Sequence, residues 1–414
     1  MSAATLHIEE EKAIISKLRF PKFNGFWKET KLGDLGSFVG GGTPNTANEN
    51  YWKGNIPWIS SSDILDNDLH NINIYRYIND VAIKESATKI IPKKSVLLVS
   101  RVGVGKIAIN EVELCTSQDF SNFTPLIDES YFIGYYLMAK KNILVNFSQG
   151  TSIKGFTTSD LKTIPINIPT LPEQQKIASF LSAVDEKIQQ LSRKKELLEE
   201  YKKGVMQQLF SGKLRFKDEN GEDYPDWEEK KLKEVANRVT TKNKENNINV
   251  LTISAKLGLV SQLEYFNKSV SAKDVTNYYL IEKNDFAYNK SYSSGYPMGA
   301  IKKLKKYDKG VVSTLYICFS FKEMISSKFM EHYFELGLHN KEIEKVAQEG
   351  ARNHGLLNIG VNDFFNIELI LPSIEEQKKI EKFLSSIDAK IESTSQQINQ
   401  TQNFKKGLLQ QMFV

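Results

Sequence analysis

The chain has 414 residues, 40% hydrophobic and 25% charged, with 55 Lys and Arg against 50 Asp and Glu for a net charge of +5. That length suggests two to four domains, each able to bury its own core, and the composition is that of a folded protein rather than a disordered one. Two cysteines, Cys115 and Cys318, exclude a disulfide framework and a Cys-rich zinc site, no apolar run approaches the about 18 residues of a membrane span, and so small a net charge confines any nucleic-acid footprint to local patches.

In chain order, Met1–Glu10 has neither a basic region nor an apolar stretch, so we expect no secretory signal and a reducing, cytoplasmic setting. Polar loops set among aromatics follow: Gly40-Gly41-Gly42-Thr43-Pro44, Tyr51-Trp52-Lys53-Gly54-Asn55-Ile56-Pro57-Trp58 and Ser60-Ser61-Ser62. Lys94–Ser100 reads as a buried strand before a glycine turn, and Ile133–Lys141 as a helix. A polar loop, Ser148–Gly155, precedes a long helix over 172–210. Its apolar residues Ile177, Leu181, Val184, Ile188, Leu191, Leu198, Val205 and Leu209 step by three, four or seven. Pro172 suits the first turn, and Glu173 adds a negative charge at the positive end.

The second half repeats this plan. Glu173-Gln174-Gln175-Lys176-Ile177 recurs as Glu376-Gln377-Lys378-Lys379-Ile380, and the offset of 203 holds through Asp185 and Asp388 to Lys202-Lys203-Gly204 and Lys405-Lys406-Gly407. Trp27-Lys28-Glu29-Thr30-Lys31-Leu32 echoes in Trp227-Glu228-Glu229-Lys230-Lys231-Leu232. Between these anchors the halves diverge, so the chain reads variable, constant, variable, constant. The second variable part carries Asn289–Tyr296, an alternating strand over Val311–Phe321, a helix over Met330–Leu338 and the loop Gly350–Gly355. The second long helix presents Ile380, Leu384, Ile387, Ile391 and Ile398. Neither amphipathic helix is stable alone at this length, so the two copies are expected to pack on each other, parallel or antiparallel. The terminal Leu209-Phe210 and Met412-Phe413 either face a partner or finish that seam.

Catalytic patterns are missing. Arg101–Ile107 has Ser100 and Ile107 where a phosphate loop needs Gly and Ser or Thr. Pro225-Asp226 with Glu229-Lys230-Lys231 is too tightly spaced for a nuclease metal site. The five histidines form no zinc pattern, and no nucleophile elbow or dinucleotide fingerprint occurs. This points to a binding protein. Arg and Lys suit guanine edges and phosphates, Asn and Gln suit adenine, and Ser and Thr serve either. The DNA-contact candidates in the first half are Thr43, Lys53, Asn55, Trp58, Ser60, Ser61, Ser62, Arg101, Lys106, Gln118, Thr151 and Lys154. In the second half they are Lys256, Lys290, Ser291, Tyr292, Ser294, Tyr296, Arg352, Asn353 and His354.

Over nearly its whole length the sequence resembles the specificity subunits of type I restriction-modification systems. The carrying motifs are Trp27–Leu35, Gly41-Gly42-Thr43-Pro44 with Tyr51–Trp58, Gly150-Thr151-Ser152-Ile153-Lys154-Gly155, and Ile168-Pro169 leading into Pro172–Ile177, the last recurring around Leu371-Pro372. The second half departs from the pattern: it lacks Gly-Gly-Thr-Pro and Trp-Ile-Pro, and has Gly350-Ala351-Arg352-Asn353 in place of Gly-Thr-x-Ile. The resemblance implies two α/β target recognition domains, 1–170 and 213–371, each reading half of a split double-stranded DNA site. Helical regions 171–212 and 372–414 would form an antiparallel coiled coil that spaces them. Two modification subunits with S-adenosylmethionine would methylate adenine N6, and restriction subunits with ATP and Mg²⁺ would join. This chain would hold no cofactor and no catalytic or metal-binding residue, and would not touch a membrane. The competing readings are a coiled-coil protein scaffold without DNA readout and an enzyme with a degraded motif.

Overall fold

The computed structural model describes residues 16–146, 155–254, 257–266, 274–347 and 357–413. The chain divides into two compact units, one of residues 1–194 with 394–414, the other of residues 195–393.

The first unit holds, in chain order, β1 (Lys28–Lys31), β2 (Gly36–Gly40), β3 (Ile56–Ile59), β4 (Arg76–Ile78), β5 (Ile90–Ile91), β6 (Val96–Val99), β7 (Ile107–Ile109), β8 (Leu114–Thr116), β9 (Phe120–Pro125) and β10 (Pro165–Ile168). β1 pairs antiparallel with β10. One antiparallel sheet runs β2-β9-β6-β7, and a second runs β4-β3-β8-β5 with β3 and β8 parallel. β6 explains its unbroken apolar sequence. Strand side chains alternate faces: Val96 and Leu98 enter a core with Phe132, Ile133 and Tyr136 of the helix Ser130–Ala139, while Leu97 and Val99 enter one with Ile59, Ile91 and Leu114. A strand covered on both faces has no polar side.

The second unit holds β11 (Glu228–Lys231), β12 (Ala236–Arg238), β13 (Leu251–Ser254), β14 (Gly258–Ser261), β15 (Tyr279–Glu282), β16 (Phe286–Asn289), β17 (Ala300–Lys303), β18 (Lys309–Val312), β19 (Ile317–Phe321) and β20 (Glu368–Leu371). β11 pairs with β20 as β1 does with β10, and β12-β19-β16-β17 repeats the order of β2-β9-β6-β7. The remainder differs: β13 pairs with β14, and β15 with β18. Val311–Phe321, expected as one strand, is the end of β18, a turn and β19. Ser313 makes the turn, its carbonyl accepting from Tyr316 N at 3.1 Å and its hydroxyl from Leu315 N at 3.3 Å.

Side-chain caps set the short helices. The helix expected over Ile133–Lys141 runs Ser130–Ala139, started by Glu129, whose carboxylate accepts from Phe132 N at 3.0 Å. The one expected over Met330–Leu338 runs Ser327–Glu335, started by the Ser326 hydroxyl accepting from Phe329 N at 3.1 Å. Both begin at a polar residue ahead of the apolar run.

The long helices are Leu171–Phe210 and Ile374–Met412. In the first unit Ile177, Leu181 and Val184 share a core with Leu408, Met412 and Phe413; in the second Val205, Met206 and Leu209 share one with Ile380, Leu384 and Ile387. Leu191 is buried, and Ile188, Leu198, Ile391 and Ile398 are half-buried. The partner-facing reading of the terminal aromatics is corrected. Phe413 packs on Phe132 and Tyr136, and Phe210 on Trp227, Phe329 and Tyr333. Among the described residues no helix is long and apolar enough to cross a membrane.

Candidate nucleic-acid interface

Two glycines of the first loop, Gly41 and Gly42, serve packing. A Cβ on Gly41 would lie 2.0 Å from the Ser117 carbonyl oxygen, and one on Gly42 would lie 2.5 Å from backbone atoms of Ala87 and Thr88. Gly42 N donates to Thr116 O at 2.8 Å, and Trp58 Nε1 donates to Gly42 O at 2.9 Å. Trp58, expected at the DNA surface, is therefore corrected: it is 3% exposed and holds this loop from beneath. The Arg76 guanidinium lies 4.6 Å over its ring, donates to Ser60 Oγ at 2.8 Å and ion-pairs with Asp63. Asp63 also accepts from Ser60 N at 2.7 Å. Lys106 turns inward too, its amine 3.1 Å from both the Ser61 and Ile64 carbonyls. Thr43 donates to the Gln118 side chain. On this frame Lys53, Asn55, Ser62, Arg101 and Gln118 are exposed, and Thr43, Ser60 and Ser61 half-exposed. The structure thus joins Thr43 to Gln118, and Ser60 and Ser61 to Lys106 through one turn.

In the second unit Tyr292 is 64% exposed, Ser294 is exposed, and Lys290 and Ser291 are half-buried. Gly295, at φ +83°, closes the tight turn between Ser293 and Tyr296. Tyr296 is engaged within the domain: its hydroxyl donates to Glu335 at 2.5 Å and accepts from Lys302 at 2.8 Å, and burial together with Glu335 pushes its pKa up. Thr151, Lys154, Lys256, Arg352, Asn353 and His354 lie outside the described residues. The described residues that follow two of these segments, Phe156 and Leu357, sit at matching places. Phe156 N donates to Ser100 O just after β6, and Leu357 N to Lys290 O just after β16. Ser100 and Lys290 therefore occupy equivalent positions in the two sheets, followed by Arg101 in one and Ser291 in the other.

The densest basic run is paired with carboxylates of its own domain. Lys302 pairs with Glu335, Lys303 and Lys305 with Glu331, Lys306 with Glu264, and Lys309 with Glu245 and Glu282. Burial pushes the Cys115 thiol up to about 11 and Cys318 to about 12, so neither supplies a thiolate at neutral pH. Among the described residues no three His, Cys, Asp or Glu are placed to hold a metal ion.

Sequence reasoning missed the joints between helix and domain. Glu173, 1% exposed, pairs with Arg19 at 2.6 Å; Glu376, equally buried, pairs with Arg215 at 2.8 Å. Phe20 stacks edge-on to Phe180, and Phe216 to Phe383. Gln174 accepts from Glu129 N, and Gln377 from Ser326 N, each at the start of its domain's helix. The signal was present: Lys17-Leu18-Arg19-Phe20 recurs as Lys213-Leu214-Arg215-Phe216, at an offset of 196 rather than 203.

A third joint is charged. Asp185 takes Lys405 at 2.5 Å, the Tyr135 hydroxyl at 2.7 Å and His70 at 3.5 Å. Burial works to raise this carboxyl, but His70, Lys405 and Tyr135 overcome it and hold it below the ordinary range. Its counterpart Asp388 takes Lys202 at 2.5 Å and lies 3.8 Å from His332.

Comparison with known proteins agrees with this architecture. The family model of the type I restriction modification DNA specificity domain matches residues 24–200 and 224–403. The type I restriction enzyme MjaIX specificity subunit of Methanocaldococcus jannaschii is 34% identical over 197 residues, 47% of this chain and 46% of that protein. The MjaVIII specificity subunit of the same organism is 26% identical over 411 residues, 92% of this chain and 91% of that protein. The chain thus matches about half the length of the first relative and most of the second. The crystal structure of a type I restriction-modification S subunit from M. genitalium shares the fold, with a TM-score of 0.58 at 16% identity over 97% of this chain and 99% of that one. With two specificity domains matched and both built on one repeated frame, the chain belongs to the type I restriction-modification DNA specificity family.

Proposed function

We propose that the chain is the DNA sequence-specificity subunit of a type I restriction-modification complex, a non-catalytic protein whose two domains each read one half of a bipartite site. The observation that carries this is the placing of exposed polar loops after β6 and after β16 of two equivalent sheets. Arg101, Lys53, Asn55, Ser62 and Gln118 would meet one half-site, and Tyr292, Ser294 and Lys290 the other. The domains are assigned to 1–170 and 213–371, and the helical regions to 171–212 and 372–414. Modification subunits would bind S-adenosylmethionine and methylate adenine N6; restriction subunits would use ATP and Mg²⁺. Specificity subunits of type I systems are generally non-catalytic.

The helices are assigned as an antiparallel coiled coil. In support, Asp185 and Lys202 lie 17 residues apart on the first helix, and their partners Lys405 and Asp388 lie 17 apart on the second, in reverse order. A helix of 40 residues spans about 60 Å at about 1.5 Å per residue, which bounds the half-site separation at about 17 base pairs of about 3.4 Å each. Footprinting of the complex with its modification subunits tests the reading. Two protected patches on one duplex, both sequence-dependent, are expected; protection independent of sequence would favour the scaffold. Four residues inserted into both helices add roughly 6 Å and should lengthen the preferred gap by one or two base pairs; an unchanged gap would remove the spacer role.

A further inference from the structure

We propose that Asp185 and Asp388 are positioning residues that hold the long helices in one axial register, and that this register makes the complex discriminate between gap lengths. The proposal rests on the specificity reading above. Each carboxylate gathers three elements at one point. Asp185, on the first helix, meets Lys405 of the second and Tyr135 and His70 of its own domain; Lys405 also donates to the Asn67 carbonyl at 3.2 Å. Asp388, on the second helix, meets Lys202 of the first and lies beside His332 of its domain.

The apolar seam cannot fix the register alone, because residues spaced by three, four and seven re-engage after a slide of seven. The charges can. In one direction such a slide sets Lys202 opposite Glu381 and Asp388 opposite Lys195, which keeps both paired. It also sets Asp185 opposite Ile398 and Lys405 opposite Ala178. In the other direction Asp185 meets Met412, Lys405 meets Ser192, and Asp388 meets Leu209. Asp185 and Lys405 are each only 8% exposed, so either slide strands a charge away from water. The first-unit pair therefore forbids both slides, whereas the second-unit pair, with Asp388 44% exposed, opposes one more weakly. A buried ion pair is poor evidence of stability, and its best-attested use is the choice of register. Register matters because each domain's core takes residues from both helices, Leu181 with Leu408 and Leu209 with Leu384. A slide would pull those contacts against each other.

The test uses the complex with its modification subunits and DNA sites of fixed halves and varied gap. The rate of methylation at the preferred gap is divided by that at gaps one to three base pairs away. For Asp185→Leu with Lys405→Met, which keeps the seam apolar, this ratio is expected to fall at least about fivefold. Lys202→Met should lower it less, and Asp185→Glu should keep it near the parent value. A fall in rate at every gap with the ratio unchanged overturns the proposal, since a merely stabilising pair would do that. If the double variant does not assemble, the ratio for Asp185→Asn decides by the same criterion. A parent with no gap preference would instead defeat the specificity reading. A preference that moves with helix insertions but ignores these charges would defeat the register role alone.

Discussion

The two units share a frame and differ in what the frame carries. The shared parts are the β1–β10 and β11–β20 pairs, the sheets β2-β9-β6-β7 and β12-β19-β16-β17, and the joints to the long helices. Even the chain's beginning follows the pattern. Leu18 N donates to Gln411 O at the end of the second helix, as Leu214 N donates to Gln208 O at the end of the first. The difference is concentrated in one layer, where four strands around Trp58 in the first unit are replaced by two antiparallel pairs, β13-β14 and β15-β18, in the second. Interactions that fix each domain on its helices are therefore duplicated, while the layer that carries Lys53, Asn55 and Ser62 in the first unit diverges in the second, and the loops after β6 and β16 differ in sequence on equivalent strands. A specificity protein needs that division: the mounting stays constant and the reading surface varies.

The largest expected effect tests the duplicated mounting. Arg19→Ala should destabilise the first unit by about 3–5 kcal/mol, because Glu173 stays buried without its partner. Arg215→Ala should cost about 1 kcal/mol less, since Trp227 Nε1 still donates to Glu376 at 3.2 Å, whereas the buried Trp27 Nε1 has no partner among the described residues. Urea unfolding of the two variants reads this difference directly, and equal losses would break it.

Acid should separate the units next. Burial pulls His332 down to about 4 and His339 to about 3, both in the second unit. An unfolded histidine takes its proton near 6.5, so the folded state loses stability as pH falls from about 6.5 towards these values. Asp285, pushed up to about 6 by burial, returns part of that loss over the same range. In the first unit Asp185 is held low, so its contribution persists until the pH falls below the ordinary carboxylate value. A net loss of roughly 2–3 kcal/mol by pH 4.5 is expected in the second unit. Limited proteolysis at pH 7 and pH 5 should open sites within 195–393 first, and His332→Gln with His339→Leu should remove much of that difference.

A smaller effect sharpens the divergent layer. Gly41→Ala forces a Cβ onto the Ser117 carbonyl and should cost about 1–3 kcal/mol by overpacking, with faster proteolysis confined to the first unit. The smallest separates exposed from neutralised cations. Lys53→Ala or Arg101→Ala should each lower the salt dependence of DNA binding by about one phosphate contact, while Lys302→Ala, whose ammonium already faces Glu335, should leave it unchanged.

Much of the frame was legible in the sequence because local patterns wrote it. The seam of Ile177 to Leu209 and the start at Pro172-Glu173 placed the first long helix within one residue of its ends, and the repeat at offset 203 marked the second. The Val96–Val99 run placed the central strand. The joints were marked in the sequence only by repetition, Lys17–Phe20 as Lys213–Phe216, while their partners were not legible, because Arg19 meets Glu173 and Asp185 meets Lys405 across long stretches of chain. The candidate surface was half legible. Residue type singled out Trp58, Lys106 and Tyr296 with Lys53 and Arg101, but only packing distinguishes a side chain that props a loop from one that the loop displays. The same holds for Val311–Phe321, where alternation continues through the turn that Ser313 closes.

The central claim, two domains reading two separated half-sites, is tested most directly by mapping methyladenine across the genome of cells that express the chain with its modification subunit, against cells that lack the chain. The account expects a split motif with methyladenine in both parts, present only with this chain. A continuous motif, or methylation that persists without the chain, would contradict it.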